Sequence, residues 1–350
     1  MFKKNIKRLG LLLSTTCVLY YPNSSFAQES FTDKIGGIFL ARPGSKAVGA
    51  NDVKIMKDLT KPNRCVRHYS WGAPKIKDTV INKRSLYLCR ELFALQYDPK
   101  LKVPLWSSEQ LIKYNFELES FENNIKLQPD EDLPKDIQQK SEDYLNTNYL
   151  PIPLASVKNM VLNLELTEAE ELRKINLDAI SQSKRFSNTV PMVRNNLANT
   201  LWRELEEQTI SYAKKTSKLY VTTGVIYLNG TTNGKLSSSE TLIPTHFFKI
   251  MIDPDTHGSI SYIIPNKEIL TSSTKSITDP SNVYKCNEGP CSLSNFIVHI
   301  KEVEKVTGME FFPELNPNWA VQIKLNIGEL NKQQKQKNER LKELQKTNPQ

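Results

Sequence analysis

Apolar residues fall in short runs, and the spacing within each run predicts its element. From Tyr87 to Tyr97 the sequence Y-L-C-R-E-L-F-A-L-Q-Y alternates as a strand does. Asp98-Pro99-Lys100 reads as a turn, Val103 to Trp106 resumes the strand, and Ser107 is placed to cap a short helix. Residues 127–140 are acidic and polar with prolines, which predicts an exposed loop. Thr167-Glu168-Ala169-Glu170 fits a capping box, and its helix runs to about Ser181 with Leu172, Ile175 and Ile180 apolar. Leu197, Leu201, Trp202 and Leu205 mark a second helix. Tyr220 to Leu228 reads as a strand with Gly224 inside it. Phe247–Ile252 and Ser259–Ile264 form a hairpin around Asp253-Pro254-Asp255-Thr256-His257-Gly258. A strand at Phe296–Ile300 precedes a short helix ending at Gly308. This order predicts an α+β fold, a central antiparallel sheet with helices packed around it.

The ends read differently. Lys3, Lys4, Lys7 and Arg8 precede an apolar stretch from Leu9 to Tyr21, too short for a permanent span, and Ser25-Phe26-Ala27 supplies a small-x-small cleavage site. Residues 1–27 are therefore expected to be a signal peptide, and the mature chain to be exported, periplasmic or secreted. Residues 28–64 read as an N-terminal arm or linker, 65–330 as one main domain, and 331–350 as a polar basic tail. Charge follows this division. Of the formal +9, four units sit in the leader and four in the tail, where six Lys/Arg face two Glu; the body is near +1. Net charge thus points to no general funnel for a polyphosphate.

Besides Cys17 in the leader, the cysteines are Cys65, Cys89, Cys286 and Cys291. An even count in an exported chain suits two disulfides, and closeness in sequence favours Cys65–Cys89 and Cys286–Cys291 among the three pairings. Neither pair has C-x-x-C spacing and no histidines cluster near them, which argues against zinc.

Four blocks, in order, carry a family resemblance. They are Ala94 to Pro99 with Val103 to Trp106; Ser187-Asn188-Thr189-Val190-Pro191 with Trp202-Arg203-Glu204-Leu205-Glu206; Val221 to Gly224 with Ile243 to Lys249; and Val303 to Gly308 with Phe311-Phe312-Pro313. The stretch they span, roughly Cys65 to Leu315, resembles the DNA/RNA non-specific endonucleases of the ββα-metal type. That resemblance implies a ββα-metal nuclease-like domain over 65–330, with DNA or RNA as substrate. It also implies a histidine general base in a Y-D-R-G-H-L-A-P motif, and Mg²⁺ held by one asparagine and several waters.

The motif itself is altered. Tyr149, Leu154 and Ala155 match its flanks, but Leu150, Pro151, Ile152 and Pro153 replace its aspartate, arginine, glycine and histidine. Proline has neither an ionisable group nor an N–H, so Pro153 cannot act as base or donor. Two prolines one residue apart also disfavour a regular central strand. The metal asparagine should lie four residues before the tryptophan, where Ala198 stands; Asn199, Asn195 and Asn196 are the substitutes. Glu206 matches the family's acidic position, so Asn199 and Glu206 are the candidate metal residues, for Mg²⁺ if any metal binds. Of His68, His246, His257 and His299, none has neighbours that nominate it as a replacement base. The expected function is that of an exported nuclease homologue with impaired catalysis, keeping at most nucleic-acid or protein binding. The competing expectation is an active, divergent Mg²⁺-dependent endonuclease with a relocated base and metal ligand.

Overall fold

The computed structural model describes residues 64–112, 125–161, 169–194, 197–216, 218–236, 239–267 and 292–316. The expected leader, arm and tail, Thr167 and Glu168 of the capping box, and Cys286 and Cys291 lie outside the described residues. In chain order the elements are β1 (Lys75–Ile76), α1 (Thr79–Arg84), β2 (Leu86–Cys89), β3 (Phe93–Asp98), β4 (Val103–Ile112), β5 (Tyr149–Pro153), α2 (Ala169–Ser183), β6 (Thr189–Val193), α3 (Leu197–Ala213), β7 (Lys218–Ile226), β8 (His246–Ile252), β9 (Ser259–Pro265), β10 (Ile297–Val298), α4 (Ile300–Thr307) and β11 (Met309–Glu310). An antiparallel sheet of seven strands runs β10-β9-β8-β7-β4-β3-β2, with two-stranded ribbons β5-β6 and β1-β11 beside it. No helix among the described residues is long and apolar enough to cross a membrane.

Strand register sorts the sheet into two faces, because successive side chains point to opposite sides. Ser107, Thr223, Lys249 and Tyr262 are cross-strand partners in one row, with Glu109 and Val221 in the next row on that face. Helix α3 covers this side, where Trp202 meets Phe247 at 5.5 Å between ring centres. Gln96, Trp106, Gly224, Phe248 and Ile263 form a row on the opposite face. There Phe311, following β11, meets Phe248 edge-on at 5.4 Å. The sheet is therefore covered on both sides, and β3, β8 and β9 are buried at every position for that reason.

Several expected elements are refined by this packing. The single run Tyr87–Tyr97 is a hairpin, β2 and β3, closed by the Arg90 amide donating to the Phe93 carbonyl at 2.8 Å. Ser107 caps no helix. It lies inside β4, whose pairing with strands on both sides outweighs the local preference of Ser107 and Ser108 for a cap. The Ser108 hydroxyl instead bonds the His68 carbonyl and the Thr222 hydroxyl. The 127–140 segment is a loop as expected, yet Asp130, Gln138 and Gln139 are buried. The strand expected at Phe296–Ile300 shrinks to two residues, and α4 begins at Ile300. That helix ends at Gly308 with φ of 67°, the left-handed cap its glycine supplies. The disulfide Cys65–Cys89 is formed.

Gly224 is required by close approach. A Cβ there would lie 2.4 Å from Phe248 Cζ and 2.5 Å from the Leu105 carbonyl oxygen. Gly224→Ala is expected to lower stability by about 1–3 kcal/mol through overpacking. Urea unfolding checks this, and an unchanged midpoint would refute it.

Candidate functional site

Ribbon β5-β6 followed by α3 builds the ββα unit around the altered motif. Its two prolines fit the ribbon because of where the hydrogen bonds fall. The Leu154 amide donates to the Asn188 carbonyl at 2.8 Å, and the Arg194 amide to the Asn148 carbonyl at 2.7 Å. Those residues share parity with Leu150 and Ile152, so Pro151 and Pro153 take the alternate, non-hydrogen-bonded positions. An N–H missing there breaks no ladder bond. Pro151 faces Pro191, and Pro153 faces Thr189 at the end of the strand.

Asn188, from the second family-like block, fixes that end. Its Oδ1 accepts from the Ala155 amide at 3.1 Å, and its Nδ2 donates to the Ala155 and Ser183 carbonyls at 3.0 and 2.9 Å. Beside it the Ser187 hydroxyl donates to Asp130, which also binds Arg90 at 2.5 Å and Arg185 at 3.0 Å. Burial works to raise the Asp130 pKa, but Arg90, Ser187, the Asp132 amide and Arg185 together hold it below the usual carboxylate value. The backbone at Pro153 is thus held by a buried network that the substitution leaves intact.

Glu206 on α3 points into the sheet. Its Oε1 accepts from Lys249 Nζ at 2.5 Å, and that ammonium is fully buried 5.1 Å from the centre of the Trp202 ring. Glu109 of β4 is buried near this pair, and its Oε1 accepts from Asn159 Nδ2 at 2.8 Å, in the turn after β5. Burial pushes the Glu109 carboxyl up to about 8, the Glu206 charge adds to the rise, and Lys249 and Asn159 oppose it. Glu109, Asn159 and Lys249 were not singled out by the chemistry of the sequence. The available signal was Glu109 and Lys249, two charged residues inside strands otherwise reading as buried.

The side chains of Ala198 and Asn199 lie outside the described residues, as do Asn195 and Asn196. Among the described residues no group of three His, Cys, Asp or Glu could hold a metal, and one oxygen of Glu206 is already taken by Lys249. The asparagine that the family's Mg²⁺ arrangement needs falls among residues whose side chains lie outside the described ones, and no catalytic step is routed through it. The histidines stand elsewhere. His246 has the strand parity of Phe248, on the face away from Lys249. His68 sits under Ser108 on that same far face, bonded to the Arg90 carbonyl at 3.2 Å. His257 stacks on Trp71, which packs against Phe312, and His299 is exposed at the start of α4.

An antiparallel sheet carrying a strand–strand–helix unit over a buried carboxylate defines the ββα-metal class of nuclease fold. The sequence model of the DNA/RNA non-specific endonuclease family matches residues 75–318, and the chain belongs to that family. It is 27% identical over 244 residues to the mitochondrial endonuclease G of Caenorhabditis elegans, covering 66% of this chain and 69% of that protein. To nuclease C1 of Cunninghamella echinulata var. echinulata it is 24% identical over 242 residues, covering 66% and 84%. Among solved structures, a complex of EndoG with EndoGI that addresses EndoG inhibition matches with TM-score 0.53. The identity is 21%, over 77% of this chain and 95% of that one.

The buried Glu109 carboxyl makes stability depend on pH. With a folded value of about 8 against an ordinary 4.5, Glu109 keeps a proton that the unfolded chain has released across that window. Its contribution is whole below the lower value and is lost as pH rises through the upper one. In chelator-containing buffer, the unfolding midpoint is expected to fall across this range, and Glu109→Gln to flatten the slope. Denaturation at stepped pH tests it, and an equal slope in the variant would count against the assignment.

Proposed function

We propose that the chain is an exported member of this nuclease family that has lost efficient phosphodiester hydrolysis and retains binding to DNA or RNA. One observation carries the reading: Pro153 occupies the general-base position in a ββα unit whose backbone supports are otherwise kept. A base that activates water contributes about 10²–10⁴-fold, and a proline ring supplies none of it. The placement of His68 and His246 on the far face of the sheet supports the same reading, because a relocated base would have to reach the Glu206 side. A Mg²⁺ retained at the helix would rest on Asn199 and Glu206, with water completing its shell.

The test is plasmid nicking by the mature protein with Mg²⁺ or Mn²⁺. The expected result is no chelator-sensitive cleavage. Restoring the motif through Leu150→Asp, Pro151→Arg, Ile152→Gly and Pro153→His, together with Ala198→Asn, is expected to raise cleavage. Robust cleavage by the unaltered protein, abolished by Asn199→Ala, overturns the proposal and favours the divergent active enzyme.

Binding is tested separately by gel shift across a salt series. Association that weakens steeply with salt marks phosphate contacts. Absence of any salt-dependent shift with DNA and RNA replaces nucleic acid by a protein partner.

A further inference from the structure

We propose that residues 319–327 dock as an added edge strand beside β2 and close the apolar groove next to it. β2 is the last strand of the seven-stranded sheet and pairs only with β3. Among the described residues no strand lies on its outer edge, and a free edge is a template for another strand. The ground around that edge is apolar. Of the five large hydrophobic side chains exposed among the described residues, four belong here: Val66, Val80, Leu86 and Tyr87. The Cys65–Cys89 disulfide ties the segment holding Val66 to β2, and the Tyr87 hydroxyl donates to that of Tyr69 at 3.4 Å. Val66 and Tyr69 line a groove of about 500 Å³ together with Trp71, Asn82, Pro313 and Glu314.

The chain itself supplies the occupant. Glu314, whose amide donates to the Trp71 carbonyl at 3.0 Å, lies two residues before Asn316, the last of the described residues. Three residues of extended chain span at most about 11 Å, so Trp319 starts beside the groove that Glu314 lines. From there Trp319, Val321, Ile323, Leu325 and Ile327 alternate with Ala320, Gln322, Lys324 and Asn326. That is the period of a strand with one apolar face, the pattern of an antiparallel strand covered on one side. Nine residues in strand geometry reach about 30 Å, enough to run past the four of β2. The apolar side chains cover Val66, Tyr69 and Tyr87, and the polar ones face water. So placed, the run also withholds the β2 edge from pairing with another chain. The family match stops at residue 318, one residue before this run, so the cover belongs to this chain and not to the matched domain.

Amide hydrogen exchange of the full mature protein, read by mass spectrometry, tests the docking. Amides of residues 319–327 are expected to exchange roughly tenfold or more slower than in a free peptide of the same sequence. Ile323→Asp puts a charge on the apolar face and is expected to abolish that protection while β7 and β8 keep theirs. Val66→Asp, on the groove side, is expected to weaken it, and Gln322→Asp, on the polar face, to leave it unchanged. Free-peptide rates in the unaltered protein overturn the proposal. So does protection that Val66→Asp leaves in full, because the segment then packs elsewhere. Protection found only at the mass of a dimer also overturns it, a second copy then supplying the strand.

Discussion

A fully buried ammonium must be neutralised where it stands, and Lys249 is such a group. Its position on β8 is set by sheet register, so its partner must come from whatever packs above that strand. Glu206 meets it at 2.5 Å, and the Trp202 ring lies beside both. The pair therefore fixes which way α3 faces, since rotating the helix would leave one charge uncompensated in the interior. Removing one partner of such a pair costs about 3–5 kcal/mol, whereas an exposed pair gives little. Because α3 also completes the ββα unit, the same contact places the helix over the altered motif.

That dependence explains how the fold tolerates loss of the motif. The hydrogen bonds that fix β5 are backbone bonds at alternate residues and those of the Asn188 amide, and the side chains of Leu150 to Pro153 add only apolar contact, Ile152 against the core. The prolines at 151 and 153 stand where no ladder bond is made. A proline at 152 would have faced a hydrogen-bonded position and removed one. Chemistry and scaffold are thus separable here: the histidine position can change without disturbing what holds the strand.

Much of this was legible along the chain. The hairpin around Asp253, the end of α4 at Gly308 and the spacing of Leu201, Trp202 and Leu205 were legible because each obeys local rules of turns, caps and helix faces. Ser107 misled, since its preference for a cap is local while its place in β4 is decided by partners far away in sequence. The exposed loop at 127–140 was legible too, but not its buried residue Asp130, for a related reason. Asp130 looks solvated until Arg90 and Arg185, 40 and 55 residues away, are folded onto it. At the candidate site, Pro153 and Glu206 could be found by motif. Asn159 could not, because its relation to Glu109 spans 50 residues and obeys no periodicity.

The buried network also bears on how this chain keeps its interior polar. Were Glu109 merely a relic, an apolar residue of similar volume would remove its desolvation cost, and buried ionic groups are often replaced at no loss. Its neighbours work against that exchange. Asn159 donates to it, so an apolar residue at 109 would strand the amide, and the turn that follows β5 would lose its tie to the sheet. Asn159 follows Pro153 by six residues, so the tie acts on the segment leaving the motif. The polar interior thus rests on two ties, Lys249 to Glu206 and Asn159 to Glu109, with the Lys249 charge also easing the burial of Glu109. Such a network holds the ββα geometry whether or not a general base stands at position 153.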